Sequence, residues 1–231
     1  MPSAAPADLP AAIDQLERFY GPPPAPFPGT AFELVLFENV AYLADDARRR
    51  EAFEQLVRTV GTRPEPILAA AQEQLVAVAG RGILPGTFAA KLREVARIAF
   101  EEFGGDLDAA LSGSPAAAKK ALRRFPGIGE PAAEKILLTT GRAASLAPDS
   151  NALRVLVRLG WVEEAKAYAA TYRAAVNLGE EQLGQDLEAL LRAHQLLRRH
   201  GQELCKRSAP LCERCPLAGV CATGLRSRES A

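Results

Sequence analysis

Apolar and polar positions along this chain repeat at helical spacing, and glycine, proline and aspartate separate the blocks. Over residues 88–103 the apolar positions fall at Leu92, Val95, Ala96, Ala99 and Phe103, one face of a helix with a period near 3.6. Gly104-Gly105 ends that run. Residues 8–20 pattern as a first helix and 30–44 as a second, strongly apolar one. Asp45 or Asp46 can cap a third, running to Gly61, and Pro64–Pro66 opens a fourth through about Val78. A loop holding Gly80, Gly82, Pro85 and Gly86 follows. Short helices fill 106–112 and 114–124, and further helices cover 131–140, 150–159, 162–174 and 180–200. The GPPPAPFPG stretch from Gly21 to Gly29 is too proline-rich for a helix and reads as a linker. No segment shows a clear two-residue alternation and no internal repeat is present. The expectation is an all-α chain.

Composition narrows the class without naming a chemistry. At 231 residues the chain suits one large domain or two small ones. No apolar run approaches the ~18 residues of a membrane span, so no membrane partner is expected. The opening MPSAAPADLPAAIDQL has neither a basic stretch nor an apolar core of the secretory kind, so a cytoplasmic location is expected. Lys plus Arg and Asp plus Glu both number 28, giving no net charge. The bases nevertheless cluster: residues 119–142 hold six bases against two acids, and 192–231 hold eight against three. Two basic stretches on a neutral chain suggest a face for a polyanion, although solvated helix surfaces produce such runs as well.

The four cysteines change the picture most. Cys205, Cys212, Cys215 and Cys221 follow a C-x6-C-x2-C-x5-C spacing in the last thirty residues, and the chain has no others. Soft sulfur ligands select zinc or iron–sulfur centres, and a [4Fe–4S] cluster takes four cysteines. Zinc sites usually carry two short C-x2-4-C knuckles, whereas this spacing has one. The wider outer gaps suit a loop folded over a larger cluster; zinc, disulfides or free thiols are the alternatives.

Two further motifs stand upstream. Phe125-Pro126-Gly127-Ile128-Gly129 joins a basic helix to one beginning near Pro131. Glycines two apart permit a tight reversal, Ile128 can plug into the core, and the turn's N–H groups can cradle a phosphate. Asp149 precedes Ser150-Asn151-Ala152-Leu153-Arg154-Val155, where its simplest role is a helix N-cap.

Together these motifs resemble the endonuclease III superfamily of DNA glycosylases: the hairpin Phe125–Gly129, then Asp149 through Val155, then His200-Gly201 ahead of the cysteines. The resemblance runs from about Phe32 to Cys221. It implies two helical lobes with a DNA cleft between them, a six-helix barrel with the helix-hairpin-helix over 29–144 and an iron–sulfur cluster lobe from 1–28 and 145–231. It implies a [4Fe–4S] cluster on Cys205, Cys212, Cys215 and Cys221. The partner would be double-stranded DNA containing a lesion or mismatch, bound by a monomer associated with the nucleoid. Such enzymes flip the target base out of the stack. Asp149 would then stabilise positive charge on the sugar, and Glu38 would protonate the departing base. Asn39 and Tyr42 would read or stack on that base. Gly127, Ile128, Gly129, Lys135, Lys206, Arg207 and Arg214 would hold DNA phosphates.

The sequence departs from the family at one decisive position. Members that also cleave the strand carry a lysine two residues after the second hairpin glycine, and here that residue is Pro131. The implied enzyme is therefore monofunctional. A DNA-structure or lesion-binding protein without catalysis, or an abasic-site lyase using Lys135 or another amine, are the competing expectations.

Overall fold

Capping side chains set most of the helix boundaries. Asp8 starts α1 (Leu9–Tyr20) by accepting the Ala11 N–H at 2.9 Å, with proline in the first turn. The computed structural model describes residues 8–27, 29–41 and 43–229, apart from the side chains at 226–229. Tyr42, expected to face a base, lies outside the described residues. All regular elements among the described residues are helices. No described helix is long and apolar enough to cross a membrane. Contacts divide the chain into two units, Phe27–Arg142 and the flanks Met1–Pro26 with Ala143–Ala231.

In the unit Phe27–Arg142, α2 (Ala31–Asn39) begins at Thr30, which forms a reciprocal capping box with Glu33. It ends five residues before the 44 expected, because the chain turns to reach Asp45. Leu43 has φ +53°, outside the right-handed helix, and Asp45 caps α3 (Asp46–Thr59) through the Arg48 N–H. The single helix expected from Pro64 to Val78 is two, α4 (Pro64–Ala69) and α5 (Gln72–Ala79). Ala70 and Ala71 are extended between them. Arg93 fills the break, donating to the Ala70 carbonyl at 2.8 Å and to Gln72 Oε1 at 2.6 Å. That arginine belongs to α6 (Pro85–Phe103), which packs against α2, α4 and α5 and buries Phe88, Leu92, Val95, Ala96 and Ala99. Short α7 (Leu107–Ala110) precedes α8 (Pro115–Leu122) and α9 (Glu130–Thr139), the two arms of the glycine hairpin.

In the other unit, α10 (Ser150–Leu159) lies along α12 (Leu187–Glu203), and α1 packs on α12 and on α11 (Tyr168–Leu183). Residues 212–214 form one 3-10 turn, and α13 (Ala222–Glu229) packs on α10. α11 runs through Gly179 rather than stopping at 174, because Gly179 is a packing site: a Cβ there would meet Leu146 Cβ at 2.6 Å. Gly201 has the same role toward α10, where a Cβ would lie 2.6 Å from the Asn151 carbonyl oxygen. The close approach of α12 to the start of α10 thus depends on the glycine of the His200-Gly201 pair.

Candidate active-site residues and the thiol pocket

The hairpin is anchored from below and bare above. Phe125 and Ile128 are buried, and Phe125 stacks on Phe103 with ring centroids 5.6 Å apart. Gly127 takes φ +77°, a conformation that suits glycine. Gly129 is the N-cap of α9, and no side chain bonds to that helix start. Its amide donors are the kind of group that binds a phosphate oxygen. Lys119 on α8 ties the two arms together, with Nζ 2.7 Å from Glu134 Oε1 and 3.3 Å from Glu130 Oε1. Pro131 sits in the first turn of α9, where it offers no amine.

Asn39 is placed differently from the base-reading role expected of it. It is 1% exposed, its Nδ2 donates to the Val35 carbonyl at 3.0 Å, and its Oδ1 lies under Gly127, 2.8 Å from where a Cβ would stand. It is a strut beneath the hairpin turn, with its amide spent inside the protein. Glu38, the neighbouring residue on α2, meets Lys135 of α9 with Nζ–Oε1 at 2.5 Å. The two side chains retain 16% and 27% of their exposure, so the pair is sheltered yet open at one side. Both residues are candidates from sequence, but their pairing is not foreseeable across 97 positions.

Both carboxylate oxygens of Asp149 are engaged. It is the N-cap of α10, and its Oδ1 accepts the Asn151 and Ala152 N–H groups, both at 2.9 Å. Its Oδ2 accepts Asn151 Nδ2 at 3.2 Å and pairs with Arg198 Nε, on α12, at 3.2 Å. The turn before it is constrained: Ala147 is buried with φ +47°, and its carbonyl oxygen lies 2.9 Å from His194 Nδ1. A carbonyl only accepts, so Nδ1 of His194 carries the hydrogen. Neither His194 nor Arg198 carries a motif in the sequence. A signal exists only in their spacing of four residues, with Gly201 three further on, which sets all three along one side of the helix. Arg154 binds Asn151 Oδ1 at 2.9 Å, the Gly201 carbonyl at 2.7 Å and the Cys205 carbonyl at 2.9 Å, which links the start of α10 to the cysteine loop.

The four cysteines line one pocket, with about 390 Å³ of space not filled by atoms, part of it open to solvent. Val155, Leu204, Leu211 and Leu217 form its apolar wall, and none of the thiols is in a disulfide. Burial pushes the Cys215 thiol up to about 11 and raises Cys205 as well. Polar neighbours surround the sulfurs: Arg158 Nη1 donates to Cys205 Sγ at 3.4 Å, and Cys221 Sγ lies 3.2 Å from the Arg158 carbonyl. His200 Nε2 stands 3.5 Å from Cys215 Sγ; burial lowers the imidazole to about 4, and Nδ1 contacts the Tyr20 hydroxyl at 3.0 Å. Among the described residues, no three His, Cys, Asp or Glu side chains converge as ligands of a single metal ion. Lys206, Arg207 and Arg214 are exposed on the same loop, and Arg158 fixes it through the Lys206 and Arg207 carbonyls at 2.6 and 2.8 Å.

No protein-family model matches the chain. It is 25% identical to an endonuclease III of Thermotoga maritima over 190 residues, covering 82% of each protein. It is 28% identical to an endonuclease III of Sulfolobus acidocaldarius over 195 residues, 82% of this chain and 81% of that one. In three dimensions it resembles a trapped endonuclease III–DNA covalent intermediate with a TM-score of 0.76 at 17% identity, over 95% and 97% of the two chains. The chain is thus similar, in sequence and in fold, to proteins of the endonuclease III kind. Its fold also resembles the structure of a thermostable thymine-DNA glycosylase, with a TM-score of 0.71 at 17% identity over 94% of this chain and 97% of that one. Pro131, Asn39 beneath the hairpin and the Glu38–Lys135 pair are what an endonuclease III-like reading of this chain must accommodate.

Proposed function

We propose that the chain is a DNA N-glycosylase that excises a damaged or mispaired base and does not itself cleave the strand. The observation that carries this reading is the fixed carboxylate of Asp149, at the start of a helix in a chain similar to endonuclease III over 82% of its length. As the C1′–N bond breaks, positive charge develops on the sugar, and a preorganised carboxylate stabilises it without reorganising. Glu38, once it has taken a proton from solvent, protonates the leaving base. Pro131 supports the monofunctional reading. So does the contact of Lys135 with Glu38, which engages its Nζ with a carboxylate of the protein.

The unit Phe27–Arg142 serves as the barrel lobe and its hairpin binds phosphate through Gly127, Ile128 and Gly129. The other unit serves as the cluster lobe. Cys205, Cys212, Cys215 and Cys221 would hold a [4Fe–4S] cluster: all four line one pocket, none is in a disulfide, and four cysteines are the ligand set such a cluster takes. When bound, the cluster supplies a cross-link that holds the loop of Lys206, Arg207 and Arg214 against DNA. The enzyme acts as a monomer on chromosomal DNA in the cytoplasm. Anaerobically purified protein should carry about four iron atoms per chain; stoichiometric zinc without iron would contradict the cluster.

The chemistry is tested on duplexes bearing uracil, a thymine mismatch, oxidised pyrimidines, adenine opposite oxidised guanine, alkylated bases or deaminated purines. Base release from one of them, with strand breaks that need alkali, is the expected result. Breaks without alkali, together with a borohydride-trapped adduct that Lys135→Met abolishes, would establish a lyase instead. Binding to every duplex without base release would leave a non-catalytic DNA-binding protein.

A further inference from the structure

Asp149 is bound by groups of two kinds. Three of its donors belong to its own turn: the Asn151 and Ala152 N–H groups on Oδ1 and the Asn151 amide on Oδ2. Any aspartate at a helix N-cap acquires most of these. The fourth is Arg198, from α12, 49 positions along the chain and carried to Oδ2 by tertiary packing alone. Its side chain is 26% exposed and that of Asp149 29%, so this ion pair is sheltered rather than a surface contact of little weight.

The backbone around the pair is built to hold it. α12 approaches α10 closely at Gly201, one turn beyond Arg198, where a Cβ would lie 2.6 Å from the Asn151 carbonyl. On the preceding turns of α12, His194 holds the carbonyl of Ala147, two residues before Asp149, in a backbone conformation that non-glycine residues seldom adopt. One helix therefore contacts the aspartate's lead-in turn through His194, its carboxylate through Arg198 and its following residue through Gly201. Capping alone fixes Oδ1; the direction in which Oδ2 points is set by Asn151 Nδ2 and by Arg198.

We propose that Arg198 is a positioning residue for the reaction: it locks the carboxylate of Asp149 in the orientation from which its charge acts on the sugar. This rests on the glycosylase reading above. With three N–H groups and a guanidinium on its two oxygens, the carboxylate works as a fixed charge. A water molecule would have to displace one of those groups before the carboxylate could take its proton. Arginine suits the task because its donors sit in a rigid plane and it stays charged at every relevant pH.

The test separates orientation from binding and from folding. Single-turnover base release and the dissociation constant for the same lesion duplex are measured for wild type, Arg198→Ala and Arg198→Lys, with a thermal melt of each. Arg198→Ala should slow release by about 10- to 100-fold, the scale of a misplaced reacting group. Its affinity for the duplex should stay within about twofold of wild type, and Arg198→Lys should recover part of the rate by restoring a cation at Oδ2. In parallel, ¹⁵N spectra of the arginine side chains should show an Arg198 Nε–H that exchanges slowly in wild type and rapidly in Asp149→Asn. Loss of affinity with an unchanged rate would mean that Arg198 serves DNA phosphate instead, and overturns the assignment. A faster Arg198→Ala enzyme would mean that the arginine restrains Asp149, and overturns it equally. If wild type releases base and Arg198→Ala matches it, this inference falls alone; if wild type releases none, the glycosylase reading falls first.

Discussion

α9 and α10 begin on nearly the same backbone. Gly129 caps the first with φ −82° and ψ −176°, and Asp149 caps the second with φ −74° and ψ 178°. The two helix starts have opposite chemistry nonetheless. At α9 no side chain occupies the first-turn N–H groups, which leaves a partial positive charge and donors for an anion from outside. At α10 the Asp149 carboxylate takes those donors for itself, adds Asn151 Nδ2 and Arg198, and becomes a fixed negative charge. The same element is thus an anion receptor in one unit and an anion holder in the other, and one side chain decides which. Both starts stand out in the sequence; the cap explains why the first suits an anion and the second a cation.

Exchanging the caps breaks the comparison most severely. Asp149→Gly gives α10 a bare start, and base release should fall by at least about 100-fold, because the group facing the developing charge is gone. Gel-shift affinity for the same duplex should hold, and a parallel loss of affinity would mean that Asp149 serves binding rather than chemistry. Beneath the other start, Ile128→Ala removes a side chain that is 4% exposed and should cost about 2–4 kcal/mol in denaturant unfolding, with weaker DNA binding following from the loosened turn. An unfolding midpoint within error of wild type would show that the hairpin is held by something other than this plug. The mirror exchange, Gly129→Asp, fills the bare start of α9 with a carboxylate. Affinity for undamaged duplex should drop about tenfold, roughly 1.4 kcal/mol, while the fold keeps or gains stability from the new cap. Unchanged affinity would remove the α9 start from the DNA interface.

How far the sequence reaches follows from the same contrast between local and distant causes. Helices end where a local residue ends them: Asp8, Thr30, Asp45 and Asp149 each bond to an N–H within three positions, and such caps are legible before any fold is known. The all-helical class follows from them and from the apolar spacing. The break between α4 and α5 is not legible, because nothing at Ala70-Ala71 marks a stop and the group that fills it, Arg93, comes from α6. Gly179 looks like a breaker yet lies inside α11, since its reason is a neighbour at Leu146. The candidate site divides in the same way. Asp149 announces its cap locally, but Arg198 reaches it from another helix. Glu38 and Lys135 each stand out, but their contact is tertiary, and Asn39 looks like a base reader until the hairpin is seen resting on it. Spacing groups the cysteines as one set, whereas the pocket they line, with Arg158 against Cys205 and His200 against Cys215, belongs to the fold.

The central claim is that a fixed carboxylate at the start of α10 drives scission of a base from its sugar. Its most direct test is single-turnover base release by wild type and Asp149→Asn on whichever lesion duplex the wild type processes, with product analysed before and after alkali. Asparagine keeps the size of the side chain and one oxygen to cap the helix while removing the charge. The account predicts release by wild type, alkali-dependent breaks, and a loss of at least about 100-fold in Asp149→Asn with duplex affinity retained. An Asp149→Asn protein that releases base as fast as wild type would contradict it.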